Sequence, residues 1–87
     1  MKTENIENKD ELVFNYEALS GYSLIQCEKA AKKEDPTISV PSLSQIYQAH
    51  VAAAAAGVKV DDILSLPAKK FTKVTLEAQN FLLGSAN

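Results

Sequence analysis

From Thr37 through Val58 the chain carries no Asp, Glu, Lys or Arg. Inside that interval Leu43, Ile46, Tyr47, His50, Val51 and Ala54 fall on one face of a helix without a gap in the series. The pattern predicts a helix capped by Ser42, with Gln45 completing a capping box, and stopped by Gly57 in the left-handed conformation. Behind the apolar stripe lie Gln45, Gln48, Ala49, Ala52 and Ala56. A helix face turned to solvent normally carries charge, so small neutral residues there point to close approach by another helix. The alternative is that Ala and Gln merely favour helix on a neutral surface.

The rest of the chain supplies neighbours for that helix. Glu11 to Tyr16 alternates Leu12, Phe14 and Tyr16 with Val13 and Asn15, the pattern of a short strand or hairpin arm with one buried face. A first helix is expected from Ser20 or Ser23 to Lys33, with Ser23 and Gln26 spaced as a capping box. Leu24, Cys27 and Ala31 share its packed face, and Lys29, Lys32 and Lys33 complement the negative end of its dipole. Glu34-Asp35-Pro36 ends it, because the residue before a proline is pushed out of the α region. The stretch to Pro41 reads as an extended linker. Val60 to Leu66 forms one helical turn, begun by Asp61 or Asp62. Pro67 opens a last helix with Phe71, Val74, Ala78, Phe81 and Leu82 on its stripe, stopped by Gly84.

The 87 residues suffice for one domain near the lower size limit of a self-sustaining core. We place a loosely attached polar arm at 1–10, the domain at 11–84 and a polar stub at 85–87. An apolar fraction of 46% against 23% charged residues is the balance of a folded protein rather than a disordered one. A net charge of -2 and a pI near 5.3 weigh against nucleic-acid binding, which needs a basic excess. The single Cys excludes an internal disulfide, and one Cys with one His falls short of the roughly four ligands of a structural zinc site. Neither a signal peptide nor a membrane-length apolar run is visible, so a reducing cytoplasm is the expected compartment.

Candidate chemistry is sparse. His50 lies on the apolar stripe, where a packed ring with one hydrogen-bonded nitrogen is the ordinary reading and a general base or pH switch the functional one. Cys27 as a nucleophile would need a base and an orienting group; on a packed helix face it reads as an inert thiol. Asp61 and Asp62 are adjacent at a helix start and do not converge on one point, so capping accounts for both. Gly21, Gly57 and Gly84 are dispersed at helix ends and form no phosphate-cradling loop. Catalytic residues, cofactors and metal ligands are therefore not expected. Lys69, Lys70 and Lys73 lie off the apolar stripe and share their sector with Glu77, the composition of a solvated face.

Two surfaces suggest binding. One is the neutral back face of the Ala-rich helix. The other is a minor ridge on the last helix, Leu76 and Leu83, roughly 130° from the main stripe at about 100° per residue and flanked by Thr72 and Gln79. Both sides of one helix are hard to bury in so small a bundle, and an exposed apolar ridge marks an interface.

The segments LVFNYEALSGYSLIQCEKAA and PSLSQIYQAHVAAAAAGVKVDDILSLPAKKFTKVTLEAQNFLLG carry a resemblance. An aromatic-bearing segment leads into a Leu-Ser-Gly helix start, and an Ala-rich helix ends in Gly. An Asp-Asp-Ile turn follows, then Leu-Pro-Ala and a closing helix of the form Phe-x-x-Val…Gln-x-Phe-Leu. In this order and spacing, over Leu12 to Gly84, the chain resembles the tail assembly chaperones of long-tailed phages and prophages. The resemblance implies a non-enzymatic protein of the host cytoplasm that binds the long helical tape measure protein, keeps it soluble and helps recruit tail tube subunits. The family often makes a longer product by frameshifting, and this chain is similar to the short form. The resemblance transfers no site residues.

The expectation is thus a mainly α domain, α+β at most, of three main helices and a short helical turn with an amino-terminal strand or hairpin. Its function would be that of a self-associating tail assembly chaperone, with no nucleic-acid or membrane partner. A small prophage DNA-binding regulator is the first alternative, and a small enzyme subunit with a pocket holding His50 and Cys27 is the second.

Overall fold

The computed structural model describes residues 12–84. Four helices make up the described fold: α1 (Gly21–Glu34), α2 (Gln45–Ala56), α3 (Val60–Leu64) and α4 (Ala68–Leu83). Short 3-10 turns at Tyr16–Ala18 and Pro41–Leu43 precede α1 and α2. The protein is helical, as the periodicity predicts.

The helix ends follow local chemistry. Ser20 is the N-cap of α1: its hydroxyl accepts from the Ser23 amide at 3.3 Å, and the Ser20 amide donates to Ser23 Oγ at 3.4 Å. The reciprocal box is therefore Ser20–Ser23 rather than Ser23–Gln26, because Ser20 holds the extended backbone an N-cap needs and the helix is under way by Ser23. At the other end Asp35 Oδ1 accepts from the Thr37 amide at 3.1 Å and the Thr37 hydroxyl at 2.6 Å, and these bonds hold its carboxyl below the usual range. The second helix also starts later than expected. Pro41 sets up a 3-10 turn, so the α register begins after Ser44, whose Oγ accepts from the Tyr47 amide at 3.3 Å. Leu43 consequently falls outside the helix and is 59% exposed.

Gly57 ends α2 at φ 72° and Gly84 ends α4 at φ 70°, the left-handed stops expected of both. Helix α3 begins at Val60 with Lys59 as its N-cap rather than at Asp61 or Asp62, and Asp62, within the first turn, reaches back so that its Oδ2 accepts from the Lys59 amide at 3.3 Å. Pro67 is the N-cap of α4, and its carbonyl accepts from the Phe71 amide at 2.8 Å.

The central element is α2, which packs against α1, α3 and α4. On one side Tyr47 and Val51 meet Cys27 and Ala31 of α1; on the other Ala49, Ala52 and Ala53 meet Ile63, Leu66 and Val74. Neighbours on opposite sides leave α2 little wet surface on which to carry charge, although Gln45 and Ala54, the latter expected on the packed stripe, are exposed. Alanine is what lets the neighbours come close on the α4 side.

The expected strand, Glu11–Tyr16, and the arm at 1–10 reach outside the described residues, as does the stub at 85–87. No strand occurs among the described residues. Leu12–Asn15 nevertheless keeps the expected alternation: Leu12 and Phe14 pack onto the core beside α4, while Val13 is 79% exposed. The Asn15 amide donates to the Ala55 carbonyl at 3.0 Å and straps this segment to the end of α2.

Candidate functional site

Five of the nine residues singled out for binding come together. Gln45 and Gln48 of α2, with Thr72, Leu76 and Gln79 of α4, line a shallow groove of about 170 Å³ where the start of α2 crosses α4. Leu43 and Thr75 complete its lining. The two surfaces the sequence offers separately, the back of the Ala-rich helix and the ridge of the last one, are thus two walls of one feature.

Its construction follows from the elements. Pro41 turns the chain into α2 and leaves Leu43 at the groove's edge, half out in solvent. Gln48 is 3% exposed and forms part of the floor. Thr75 is equally buried; its hydroxyl is shared between the Phe71 carbonyl at 3.0 Å and the Thr72 carbonyl at 3.1 Å, which leaves its methyl toward the packing. Leu76 is 52% exposed, and Leu83, two turns further along α4, is exposed to the same degree. No ionisable group lines the groove, so its surface is apolar and neutral-polar throughout.

The remaining expected contacts move inside. Ala49 and Ala52 are fully buried in the monomer, where they pack with Ile63, Leu66 and Val74. The close approach their small size allows is made by the chain's own α3 and α4, so these two are core residues and not a partner surface. Ala56 is half-buried at the far end of α2, away from the groove. Sequence reasoning missed Leu43, because a cap at Ser42 places it within the apolar stripe. It also missed Thr75, which its polar side chain hides from an apolar count.

The candidate chemical groups do not assemble. His50 Nε2 lies 3.4 Å from Glu34 Oε1, which links the end of α1 to the middle of α2, and its side chain is 13% exposed. Cys27 is buried with Ala31, Tyr47 and Val51, and burial pushes its thiol above the ordinary pKa. No hydrogen bond joins thiol and imidazole among the described residues. The Tyr47 hydroxyl donates to the Leu24 carbonyl at 3.5 Å, and burial first, then Cys27 and Glu28, raises its pKa. No group of three metal-ligating side chains occurs among the described residues, and no described helix is long and apolar enough to cross a membrane. Lys69, Lys70 and Lys73 are exposed on α4; Lys70 and Lys73 line a small cleft with Leu12, Phe14, Val74 and Glu77, so acid and base share that face.

One further cluster stands out. Tyr16 stacks on Phe14 at a centroid distance of 6.1 Å and on Phe81 of α4 at 5.1 Å. Its hydroxyl is buried with no hydrogen-bond partner among the described residues, and burial, assisted by Glu77, raises its pKa to about 12. The three rings dock the segment before α1 onto α4.

No protein-family model, no curated protein and no solved structure matches this chain.

Proposed function

We propose that this chain is a non-enzymatic assembly chaperone of the phage tail type, which holds an amphipathic helical segment of a tape measure protein in the groove between α2 and α4. One observation carries the reading: an uncharged groove rimmed by half-exposed Leu43 and Leu76. Leu83 extends that rim along α4. A helix laid in a groove is anchored through side chains at i, i+3, i+4 and i+7, and the spacing of Leu76 and Leu83 offers two such anchor points about 10 Å apart. Neutral Thr and Gln side chains beside them accept varied apolar neighbours without imposing a charge pattern. That suits a client of many similar helical turns, bound by many copies of a weak site. Recruitment of tail tube subunits and work in the host cytoplasm belong to the same proposal.

The test is co-expression with a tape measure protein. The Leu76→Asp, Leu83→Asp double variant is expected to keep its helical circular dichroism, since both residues are half in solvent, and to leave the client insoluble. Undiminished client solubility with a folded double variant would defeat the assignment. Salt-sensitive DNA retention in a gel-shift assay, lost on replacing Lys69, Lys70 and Lys73, would point to the regulator instead.

A further inference from the structure

Beside the leucine rim of α4, Glu77, Asn80 and Phe81 face Phe14, Tyr16 and Glu17 of the segment before α1 across an open cleft of about 430 Å³. One wall is aromatic, since Tyr16 stacks on both Phe14 and Phe81. The Tyr16 hydroxyl, enclosed and without a hydrogen-bond partner among the described residues, belongs to that wall. The charge is acidic: Glu17 and Glu77 are exposed, no Lys or Arg lines the cleft, and neither carboxylate has an ion-pair partner among the described residues. Lys70 and Lys73 line the neighbouring cleft, which shares Phe14 and Glu77 with this one, and neither is in ion-pair contact with Glu77. At about 100° per residue, Leu76 falls between Thr72 and Gln79 on the groove side and Glu77 and Asn80 on the cleft side. The apolar ridge therefore parts a neutral groove from an acidic, aromatic cleft.

We infer that this cleft receives an arginine side chain of the client helix, projecting from the flank of its apolar stripe, an inference that rests on the client reading proposed for the groove. Charge and rings select the occupant together. A bare metal ion would make no use of the rings, and an apolar side chain would set hydrocarbon against two carboxylates. Arginine meets both demands. Its methylene stem lies along the aromatic wall, and its planar, weakly hydrated guanidinium stacks on ring faces and forks to carboxylate. It also brings donors to a place where a hydroxyl oxygen and two carboxylates are acceptors without partners. Lysine offers the stem and the charge without the fork. The cleft is open and its carboxylates are solvated, so the contribution is modest and falls with added salt. Its use is register. The Thr and Gln lining of the groove imposes no charge pattern, whereas a cation demanded on one flank fixes which turn of the client lies over Leu76.

N-acetylarginine amide, with its uncharged citrulline analogue as control, tests the cleft by itself. In NMR spectra of the full chain, millimolar arginine amide is expected to shift the rings of Phe14, Tyr16 and Phe81 and the amides of Glu17, Glu77 and Asn80. The citrulline analogue should leave them unmoved. The Glu17→Gln, Glu77→Gln variant should lose the response with unchanged circular dichroism. A helical peptide with a leucine stripe and one flanking arginine then tests the placement. Replacing that arginine by citrulline should weaken binding about tenfold in the wild type and not at all in the Glu17→Gln, Glu77→Gln variant. In the Leu76→Asp, Leu83→Asp variant the peptide should no longer bind, while arginine amide still moves the cleft resonances, so loss of the groove and loss of the cleft read separately. No response to arginine amide, or an equal response to the citrulline analogue, would overturn the inference. So would a response seen only in a chain carrying Lys2→Gln and Lys9→Gln, which would make a lysine of the chain itself the occupant. An arginine-to-citrulline loss of the same size in the wild type and the Glu17→Gln, Glu77→Gln variant would place the cation elsewhere and overturn it too. A peptide that fails to bind even the wild type defeats the client reading, and this placement with it.

Discussion

At the scale of single residues the interior is notable for how little it contains. Ala49 and Ala52 have no exposed surface, and Ile63, Val51 and Thr75 are the largest side chains fully enclosed. Adding methylenes where helices already touch forces backbone movement, so Ala52→Leu is expected to destabilise by about 1–3 kcal/mol in urea unfolding. Ala52→Glu, which would place an unpaired carboxylate in the same spot, should leave little folded protein by circular dichroism at neutral pH. Tyr16 offers a different measurement. Its folded pKa of about 12 lies above the ordinary value of 10.0, so the neutral form is the one the fold favours. Its contribution is fully present below pH 10 and is lost as pH rises toward 12, since the unfolded chain gives up the proton first. Comparing urea midpoints at pH 8 and pH 11 should show a smaller alkaline loss in Tyr16→Phe than in the wild type. At pH 8 the variant should be no less stable, because it removes a buried hydroxyl that has no described partner.

Among the elements, helix boundaries respond to chemistry that a linear reading sees imperfectly. Gly57, Gly84 and Pro67 are legible because their backbone preferences admit few roles. The two serine caps are less so: Ser20, Ser23, Ser42 and Ser44 all satisfy the composition of an N-cap, and only the conformation of the preceding turn chooses among them. Ser20→Ala removes the hydroxyl that accepts from the Ser23 amide, although its own amide can still donate to Ser23 Oγ, and should cost about 1 kcal/mol, read as a shift in urea midpoint. Ser23→Ala loses only the returning bond and should cost less. The amphipathic stripes of α1 and α4 were readable from periodicity, because each has one face on a neighbour, whereas the stripe read for α2 holds at Tyr47 and Val51 and fails at Leu43 and Ala54, which are exposed. The second buried face of α2 was visible only as an absence of charge, which does not say whether the covering surface belongs to the same chain. That ambiguity is why Ala49 and Ala52 read as a partner surface and prove to be core, whereas Gln45, Thr72, Leu76 and Gln79 do reach the surface together. Leu43 and Thr75 complete the groove through a turn and a hydroxyl, neither of which leaves a periodic trace.

Among the described residues, apolar surface remains exposed after the four helices have packed, at the leucine rim of the groove and on the outward face of α1. A chain of this size has little core to spare, and what binds the native state alone raises its stability by mass action. If the groove holds an apolar client helix, adding such a client is expected to raise the thermal midpoint of the wild type but not that of the Leu76→Asp, Leu83→Asp variant, as differential scanning fluorimetry would show.

The arrangement of helices around α2 also dictates how the molecule comes apart. The outer helices rest chiefly on the central one, so loosening α1 need not disturb α4, and the reverse holds as well. Hydrogen exchange should then grade by address: amides of Val51 to Ala55 would become labelled only in complete denaturation events, while those of the outer helices exchange through smaller, separate openings. The slowest protons in this protein would then belong to its plainest sequence, a run of alanines.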